Sequence, residues 1–388
     1  MHHTNTLFNQ LLNFMPKNRF NAFVGQHEAD RYVKKLTTWN QFVLLLYAQA
    51  TGKDSLREIE TGFSCYGSLW YHLGVSSIHR STLSDANKRR DHRIFEKLFY
   101  EFLSECKHIT PKKEFDFKNS LYSLDSTTIS LCLSMFNWFK FGKKKGALKI
   151  HTLLNNRTSI PELLVLTEGK HPDISIAKEQ VFDFLENGSV VVFDRGYISY
   201  AWWKYLDRKG LYFVSRTKSN ARIDVLGQHT NPSGSILSDE KVLAGEFWGM
   251  QKYGKELRRI KYLDKETGEI YSYITNNFEL KAEDVALIYK ERWQIELFFK
   301  WIKQNLKIKT FLGTSKNAVL SQIWVAMIYY LLLAYIKFQT KFGKSLLELT
   351  RMVKETLFRR INLIDMLSLT ARTIHKLNNR DGPQLCLL

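Results

Sequence analysis

The chain is poor in cysteine and short of acid. Its four cysteines, Cys65, Cys106, Cys132 and Cys386, lie far apart. None has the paired spacing that holds zinc or builds a disulfide framework, so they read as buried or incidental thiols in a reducing compartment. The N-terminus, MHHTNTLFNQLLNFMPKNRF, lacks an apolar run followed by a small-residue cleavage site, and secretion is not indicated. There is no internal repeat and no low-complexity linker.

What is present is cationic. Lys and Arg number 57 against 38 Asp and Glu, a formal charge of +19 over 388 residues. Such a surplus favours a polyanionic partner, of which nucleic acid is the commonest, although a basic protein need not have one. With 44% hydrophobic and 24% charged residues, the chain is globular rather than disordered. Its length allows two or three domains.

One stretch could be taken for a membrane span. Residues 317–336, NAVLSQIWVAMIYYLLLAYI, carry no charge and are long enough to cross a bilayer. Asn317, Ser321 and Gln322 interrupt its first third, and Tyr329, Tyr330 and Tyr335 the rest. It reads more simply as a buried helix, expected to pack on the sheet of a catalytic domain.

Residues 1–118 read as helical. TWNQFVLLLYAQAT is an apolar helix, and SLREIETGF follows with Ser55 as N-cap and Glu58 three residues on. A turn at Leu73-Gly74-Val75 leads into RSTLSDANKRRDHRIFEKLFYEFL, expected as one helix bearing Lys88, Arg89, Arg90 and Arg93. Short helices, a turn and a basic helix suit a helix-turn-helix reader of DNA, and equally an ordinary helical bundle with a solvated charged face.

From residue 119 the period changes. LYSLDSTTISLCL, GALKIHTLLNN and PELLVLTEG read as three strands, ISIAKEQVFDFLE as a helix and GSVVVFDRG as a short buried strand ending at Asp194. SYAWWKYLDRKG reads as a helix and LYFVSR as a strand. Strands in series, then helix-strand-helix-strand, is the order of an RNase H-like α/β domain. The expected division is therefore a helical N-terminal DNA-binding domain (1–118), a catalytic domain (119–338) with a β-rich insertion at about 216–275, and a basic helical tail (339–388).

Three carboxylates stand out. Asp125 lies mid-strand among small polar residues, and Asp194 closes an apolar strand, where a rigid side chain open to solvent suits a divalent cation. A lone Asp at a strand end more often caps a turn. The third falls in YKERWQIELFFKWIK, where Tyr289, Arg292, Glu296 and Lys303 occupy an arc of about 60° on a helix. Ile288, Ile295, Phe298 and Ile302 form an apolar stripe beside them. A surface helix with an Arg292–Glu296 pair would show the same pattern. Phosphodiester cleavage, for its part, uses two divalent ions about 4 Å apart, and three carboxylates can hold them.

The spacing of Tyr289, Arg292, Glu296 and Lys303 resembles the YREK signature of insertion-sequence DDE transposases of the IS-four group. FDRGY (193–197) resembles their second-Asp motif and LDSTTI (124–129) their first, while FGKKKGALKIHTLL has the look of the strand that follows. The likeness covers roughly 120–310 and extends to the leading helical region. It implies an RNase H-like core whose Asp125, Asp194 and Glu296 are catalytic and bind two Mg2+ ions, with Mn2+ as a substitute. It implies hydrolysis at transposon ends and attack of the freed 3′-hydroxyl on target double-stranded DNA. Tyr289, Arg292 and Lys303 would contact end phosphates, and Trp248 is a weaker candidate for stacking on a flipped base. A homodimer and a bacterial cytoplasmic, nucleoid-associated location without membrane attachment are the expectations that follow.

Lys140, Lys143, Lys144, Lys145 and Lys149 form an acid-free cluster suited to DNA backbone, or to a solvated loop. His151, His171 and Trp202-Trp203 are expected to serve packing or local hydrogen bonds. A stand-alone nuclease of the same fold and a non-catalytic DNA-binding protein remain as rivals. A tyrosine recombinase fits less well, since Tyr289 sits in a row suited to phosphate contact.

Overall fold

The computed structural model describes residues 5–109, 115–131, 146–168, 171–180, 185–218, 221–244, 253–306 and 310–368. The chain divides into two compact units, one of residues 1–110 with 302–388 and one of residues 111–301.

The chain opens with α1 (Leu7–Leu12), α2 (Lys17–Gln26), α3 (Thr38–Thr51), α4 (Leu56–Ser64), α5 (Trp70–Leu73), α6 (Arg80–Arg89) and α7 (Arg93–Ile109). Ser55 caps α4 as its sequence suggests, its hydroxyl accepting from the Glu58 N–H at 3.1 Å. The Glu58 carboxylate does not close the capping box; it accepts from the Asp54 N–H instead. The basic stretch expected as one helix is two. Arg90 leaves the helical conformation with ψ 140° and is only 7% exposed. Its guanidinium donates to the carbonyls of Ala29, Leu36 and Thr37 and to Gln41 Oε1. Asp91 then restarts the helix by accepting from the Arg93 N–H at 2.9 Å.

The second unit is built on one sheet. Its strands are β1 (Leu121–Leu131), β2 (Gly146–Asn155), β3 (Ile160–Glu168), β4 (Val190–Phe193), β5 (Tyr212–Arg216), β6 (Ile223–Thr230), β7 (Ile236–Ala244), β8 (Leu257–Leu263) and β9 (Ile270–Thr275). Helices α8 (Asp173–Gln180) and α9 (Tyr200–Arg208) precede β4 and β5, and α10 (Ala282–Glu291) and α11 (Trp293–Asn305) follow β9. The strand order is β3-β2-β1-β4-β5-β9-β8-β7-β6. β1, β4 and β5 run parallel and the remaining pairs antiparallel. The β-rich stretch after β5 thus lengthens the same sheet, since β9 returns alongside β5 with Val214 opposite Thr275. A buried bidentate pair ties that extension together: Arg258 (1% exposed) donates to both oxygens of Asp239 (0%) at 2.8 and 2.7 Å. Desolvation opposes the charge on Asp239, but the guanidinium outweighs it and holds the carboxyl below its usual range. On one face Leu121, Val190, Val192, Val214 and Ile260 pack with Val285 and Ile288 of α10.

The chain then returns to the first unit through α12 (Lys316–Gln339), α13 (Leu346–Thr356) and α14 (Leu363–Ser368). Among the described residues α12 is the one helix long and apolar enough to cross a membrane, and 94% of its most apolar window is buried within the protein. Its neighbours correct an expectation. α12 packs against α3, α6, α7 and α13, so it is a core helix of the helical unit, where packing on a sheet was expected. The two compact units divide between residues 110 and 111 and between 301 and 302. A helix apolar on every face can be buried only among other helices or in a thick core.

Candidate active site

Two adjacent parallel strands bring the aspartates together. In the β1–β4 ladder Leu124 lies opposite Phe193, so one further step sets Asp125 beside Asp194. Both follow the alternation of Leu121 and Ser123, and of Val190 and Val192, toward the face covered by α10. The Ser126 N–H donates to Asp125 Oδ1 at 2.7 Å. Asp194 caps the short helical turn Arg195–Tyr197 by accepting from the Gly196 N–H at 2.8 Å. A Cβ on residue 196 would stand 3.0 Å from Asp194 Oδ1, which gives the glycine of this turn its reason.

The third carboxylate comes from the helices. Tyr289 to Lys303, expected on one helix, is divided at Arg292, where α10 ends and α11 begins. The Arg292 N–H reaches back to the Tyr289 carbonyl at 3.2 Å, and the Ile295 N–H to the Arg292 carbonyl at 3.2 Å. This is an i to i−3 tightening at a single step. The row survives it. Arg292 donates to Glu296 at 2.6 Å, and its guanidinium lies 5.5 Å from the centroid of the Tyr289 ring. That ring lies 5.0 Å from the ring of Tyr273 on β9. Ile288, Ile295, Phe298 and Ile302 are all buried, as their stripe requires.

Asp125 reports the field of the cluster. Burial pushes its carboxyl up to about 6; the Ser126 N–H opposes the rise, Asp194 adds to it, Arg292 opposes it and Glu296 adds to it. Three acids and one guanidinium therefore act on one another in a partly desolvated place. The donors are all carboxylate oxygens, the hard ligands that magnesium or manganese accepts. Among the described residues no three such side chains converge on a single point, and the Glu296 carboxylate is turned to Arg292.

A family model described as a transposase DDE domain matches residues 116–332, more than half of the chain. The chain belongs to the DDE transposases.

A second family model, a domain of unknown function (DUF4372), matches residues 3–76 of the transposase. Three named relatives agree. A putative transposase of Sinorhizobium fredii, y4zB, is 32% identical over 72% of this chain and 77% of its own length. A probable transposase for insertion sequence element IS5377 of Geobacillus stearothermophilus is 28% identical over 69% and 70%. A putative transposase for insertion sequence element IS4SA of Synechocystis is 26% identical over 76% and 83%. A solved piggyBac transposase synaptic complex with hairpin DNA superposes with TM-score 0.47 at 12% identity, over 97% of this chain and 85% of that one, a likeness too loose to argue from.

The sheet of the transposase also carries a residue that the sequence reading passed over. β4 and β5 pair with Val192 opposite Val214, so two further steps set Arg216 at the level of Asp194, on the same face. Its guanidinium stacks 4.4 Å from the centroid of Tyr271, and its charge favours ionisation of Tyr289 and Tyr273 against the burial that opposes it. The signal was present in VVVFD and LYFVSR, two short apolar strands that each end on a charge. Their register, however, is a tertiary fact.

Other candidates are placed differently. Lys149 on β2, expected at DNA backbone, is largely buried and pairs with Asp173 at 2.8 Å. His151 Nδ1 lies 3.2 Å from the same carboxylate, and its Nε2 is 2.8 Å from Thr167 Oγ1. Burial opposes the charge of Asp173, but its neighbours His151, Lys149 and Ser126 outweigh it and hold its carboxyl well below the usual range. These groups lie on the strand face opposite Asp125, since Ser126 alternates with it. Trp202 and Trp203 are buried as expected, Trp203 lying 4.9 Å from the ring of Phe213. Lys140, Lys143, Lys144, Lys145 and Trp248 fall outside the described residues. Lys303 lies on α11 seven residues past Glu296, beyond the point where the two units divide.

Proposed function

We propose that Asp125, Asp194 and Glu296 are the catalytic carboxylates of this transposase, and that they hold two divalent ions, magnesium or manganese. The observation that carries the reading is the register that sets Asp125 beside Asp194, with Glu296 near enough for its charge to act on Asp125. A divalent pair bound there would supply Lewis acidity at the attacking and leaving oxygens of a phosphodiester. The protein's own groups do the remaining work. Asp125 and Asp194 sit on rigid strands and fix the position of the scissile phosphate. Arg292, Arg216 and Tyr289 offer donors to the phosphates beside it, a guanidinium gripping such oxygens bidentately. Lys303, and Lys143, Lys144 and Lys145, which precede β2 in the sequence, extend the contact along the DNA.

In this reading the enzyme binds the two ends of its element and hydrolyses a phosphodiester at each. It then places the freed 3′-hydroxyl against target double-stranded DNA. Two ends call for two active sites, so the active complex is a homodimer. The helical unit reads DNA, and the protein works in the bacterial cytoplasm at the nucleoid, without a membrane.

The test is cleavage of a labelled transposon end. Asp125→Ala, Asp194→Ala and Glu296→Ala should each reduce cleavage in magnesium to background while end binding persists. A variant that cleaves at the wild-type rate removes that residue from the site. Joined products from a precut end would separate a transposase from a nuclease of the same fold.

A further inference from the structure

At the break before Arg292 the backbone of Glu291 takes a donor from outside the helix. In an unbroken helix the Glu291 carbonyl would receive the Ile295 N–H, but that N–H goes to the Arg292 carbonyl. A buried carbonyl in that position needs another donor. It finds one in Asn156, whose side-chain Nδ2 donates to the Glu291 carbonyl at 2.8 Å.

Asn156 is itself tightly held. It is 1% exposed in the turn between β2 and β3, and its backbone N–H donates to the Leu121 carbonyl at 3.0 Å. Its Oδ1 accepts from the Ser123 hydroxyl at 2.9 Å, and Ser123 is fully buried on β1. The next residue pins the turn from the other side: Arg157 donates to the carbonyls of Phe117 and Asn119 at 2.9 and 3.0 Å. One amide therefore joins two chain positions. Ser123 is two residues from Asp125 on the same face of the same strand, and Glu291 immediately precedes Arg292.

We infer that Asn156 is a positioning residue, which fixes the α10–α11 junction against β1 so that Arg292 and Glu296 face Asp125. The inference rests on the carboxylate reading above. The buried stripe of Ile288, Ile295, Phe298 and Ile302 sets the rotation coarsely, and a directional hydrogen bond at the break adds a fixed point where the tightened step shifts the phase. The hydrogen bond to Glu291 sets that phase relative to the sheet. Outer residues of this kind, which touch neither metal nor substrate, typically change metal affinity or activity 10–100-fold when removed.

The test uses the full-length protein. Asn156→Asp is nearly isosteric and can still accept from Ser123, but its carboxylate cannot donate to the Glu291 carbonyl. Asn156→Ala removes both bonds. In metal-free protein, amide hydrogen exchange over residues 289–296 should accelerate at least about tenfold in both variants, without a matching change in β4. Cleavage of a labelled end should fall about 10–100-fold while end affinity stays within about twofold. Asn276 provides a matched control: it accepts from the Phe213 N–H at 2.9 Å and donates to the Leu211 carbonyl at 3.0 Å, so it joins two segments but not this junction. Asn276→Ala should lower the melting temperature and leave exchange at 289–296 as in wild type. Should the Asn156 variants not fold, Ser123→Ala keeps the bond to Glu291 while freeing the amide, and should show a smaller acceleration at the same amides. Wild-type exchange at 289–296 in Asn156→Asp, or in Ser123→Ala if that variant has to stand in, overturns the inference. So does wild-type cleavage by Asn156→Asp when the carboxylate variants are inactive. If the carboxylate variants cleave, the site reading fails instead, and the exchange result still decides whether Asn156 fixes the junction.

Discussion

Arg292 holds Glu296 at 2.6 Å across one helical turn, so the third carboxylate of the site already has a cation beside it. On the site reading proposed above, a divalent ion would compete for those oxygens. Pairs of this exposure are worth about 0.2–1 kcal/mol, which corresponds to a competition of about 1.5- to 5-fold. Arg292→Ala should therefore lower the magnesium concentration for half-maximal residual cleavage by about that factor. It should also weaken end binding and reduce the salt slope by about one. Magnesium titrations of cleavage, with binding measured at several salt concentrations, read both effects. An unchanged metal requirement together with an unchanged slope would make the pair a solvated surface contact.

Arg216 should behave as a phosphate contact without a metal effect. It stands level with Asp194 but stacks on Tyr271 rather than pairing with a carboxylate of the site. Arg216→Ala should weaken end binding and flatten its salt dependence by about one ion, with no change in the magnesium requirement. Arg216→Lys should recover the salt slope but only part of the affinity, because an ammonium neither stacks nor forks as a guanidinium does. A slope equal to wild type in Arg216→Ala would leave the residue a purely structural partner of Tyr271.

What could be read from the sequence, and what could not, separates by range. β1, β4 and β5 are apolar runs bounded by turn residues, and Asp125 and Asp194 are conspicuous because they break such runs. Tyr289, Arg292 and Glu296 follow helical spacing, which the one-residue break does not destroy. Arg216 was missed because only the β4–β5 register places it beside Asp194. The pairing of Lys149 was not legible because its partner, Asp173, lies 24 residues on. The break between α6 and α7 depends on Arg90 finding carbonyls at positions 29, 36 and 37. α12 shows a limit of a different kind: being apolar on all sides, it has no stripe to say which unit it serves.

The ion pair on the sheet face opposite Asp125 gives a prediction in pH. Asp173 has its carboxyl held well below the unfolded value by His151, Lys149 and Ser126, against the cost of burial. Such a group contributes stability above its unfolded value, about 3.9, and loses it as the pH falls through the folded one. Asp173→Asn should thus destabilise the protein at pH 7 by about 1–2 kcal/mol, a figure reduced because the side chain is partly exposed. The gap to wild type should narrow below about pH 4. Melts of both proteins across that range test it. A gap independent of pH would show that the charge of Asp173 contributes nothing and that only its shape matters.

The last prediction concerns α12, whose apolar faces are taken up by α3, α6, α7 and α13. Ala326 lies mid-helix at 0% exposure, and a carboxylate there would have to be buried unpaired or protonated. That costs several kcal/mol, against the roughly 5–15 kcal/mol that holds a typical domain together. Ala326→Asp should therefore unfold the helical unit, with amide protection lost first in α3, α7 and α12 and later in β4 and β5. Lys316→Glu, at the exposed first residue of the same helix, should fold as wild type. Equal and simultaneous loss of protection in the sheet would show that α12 supports both units rather than the helical one. If the helix instead crossed a bilayer, the wild-type protein would fractionate with lipid and resist alkaline carbonate extraction, and Ala326→Asp would impair insertion rather than folding in detergent-free buffer. Burial of 94% of its most apolar window leaves little surface for lipid to cover, and the wild-type protein should remain in the supernatant.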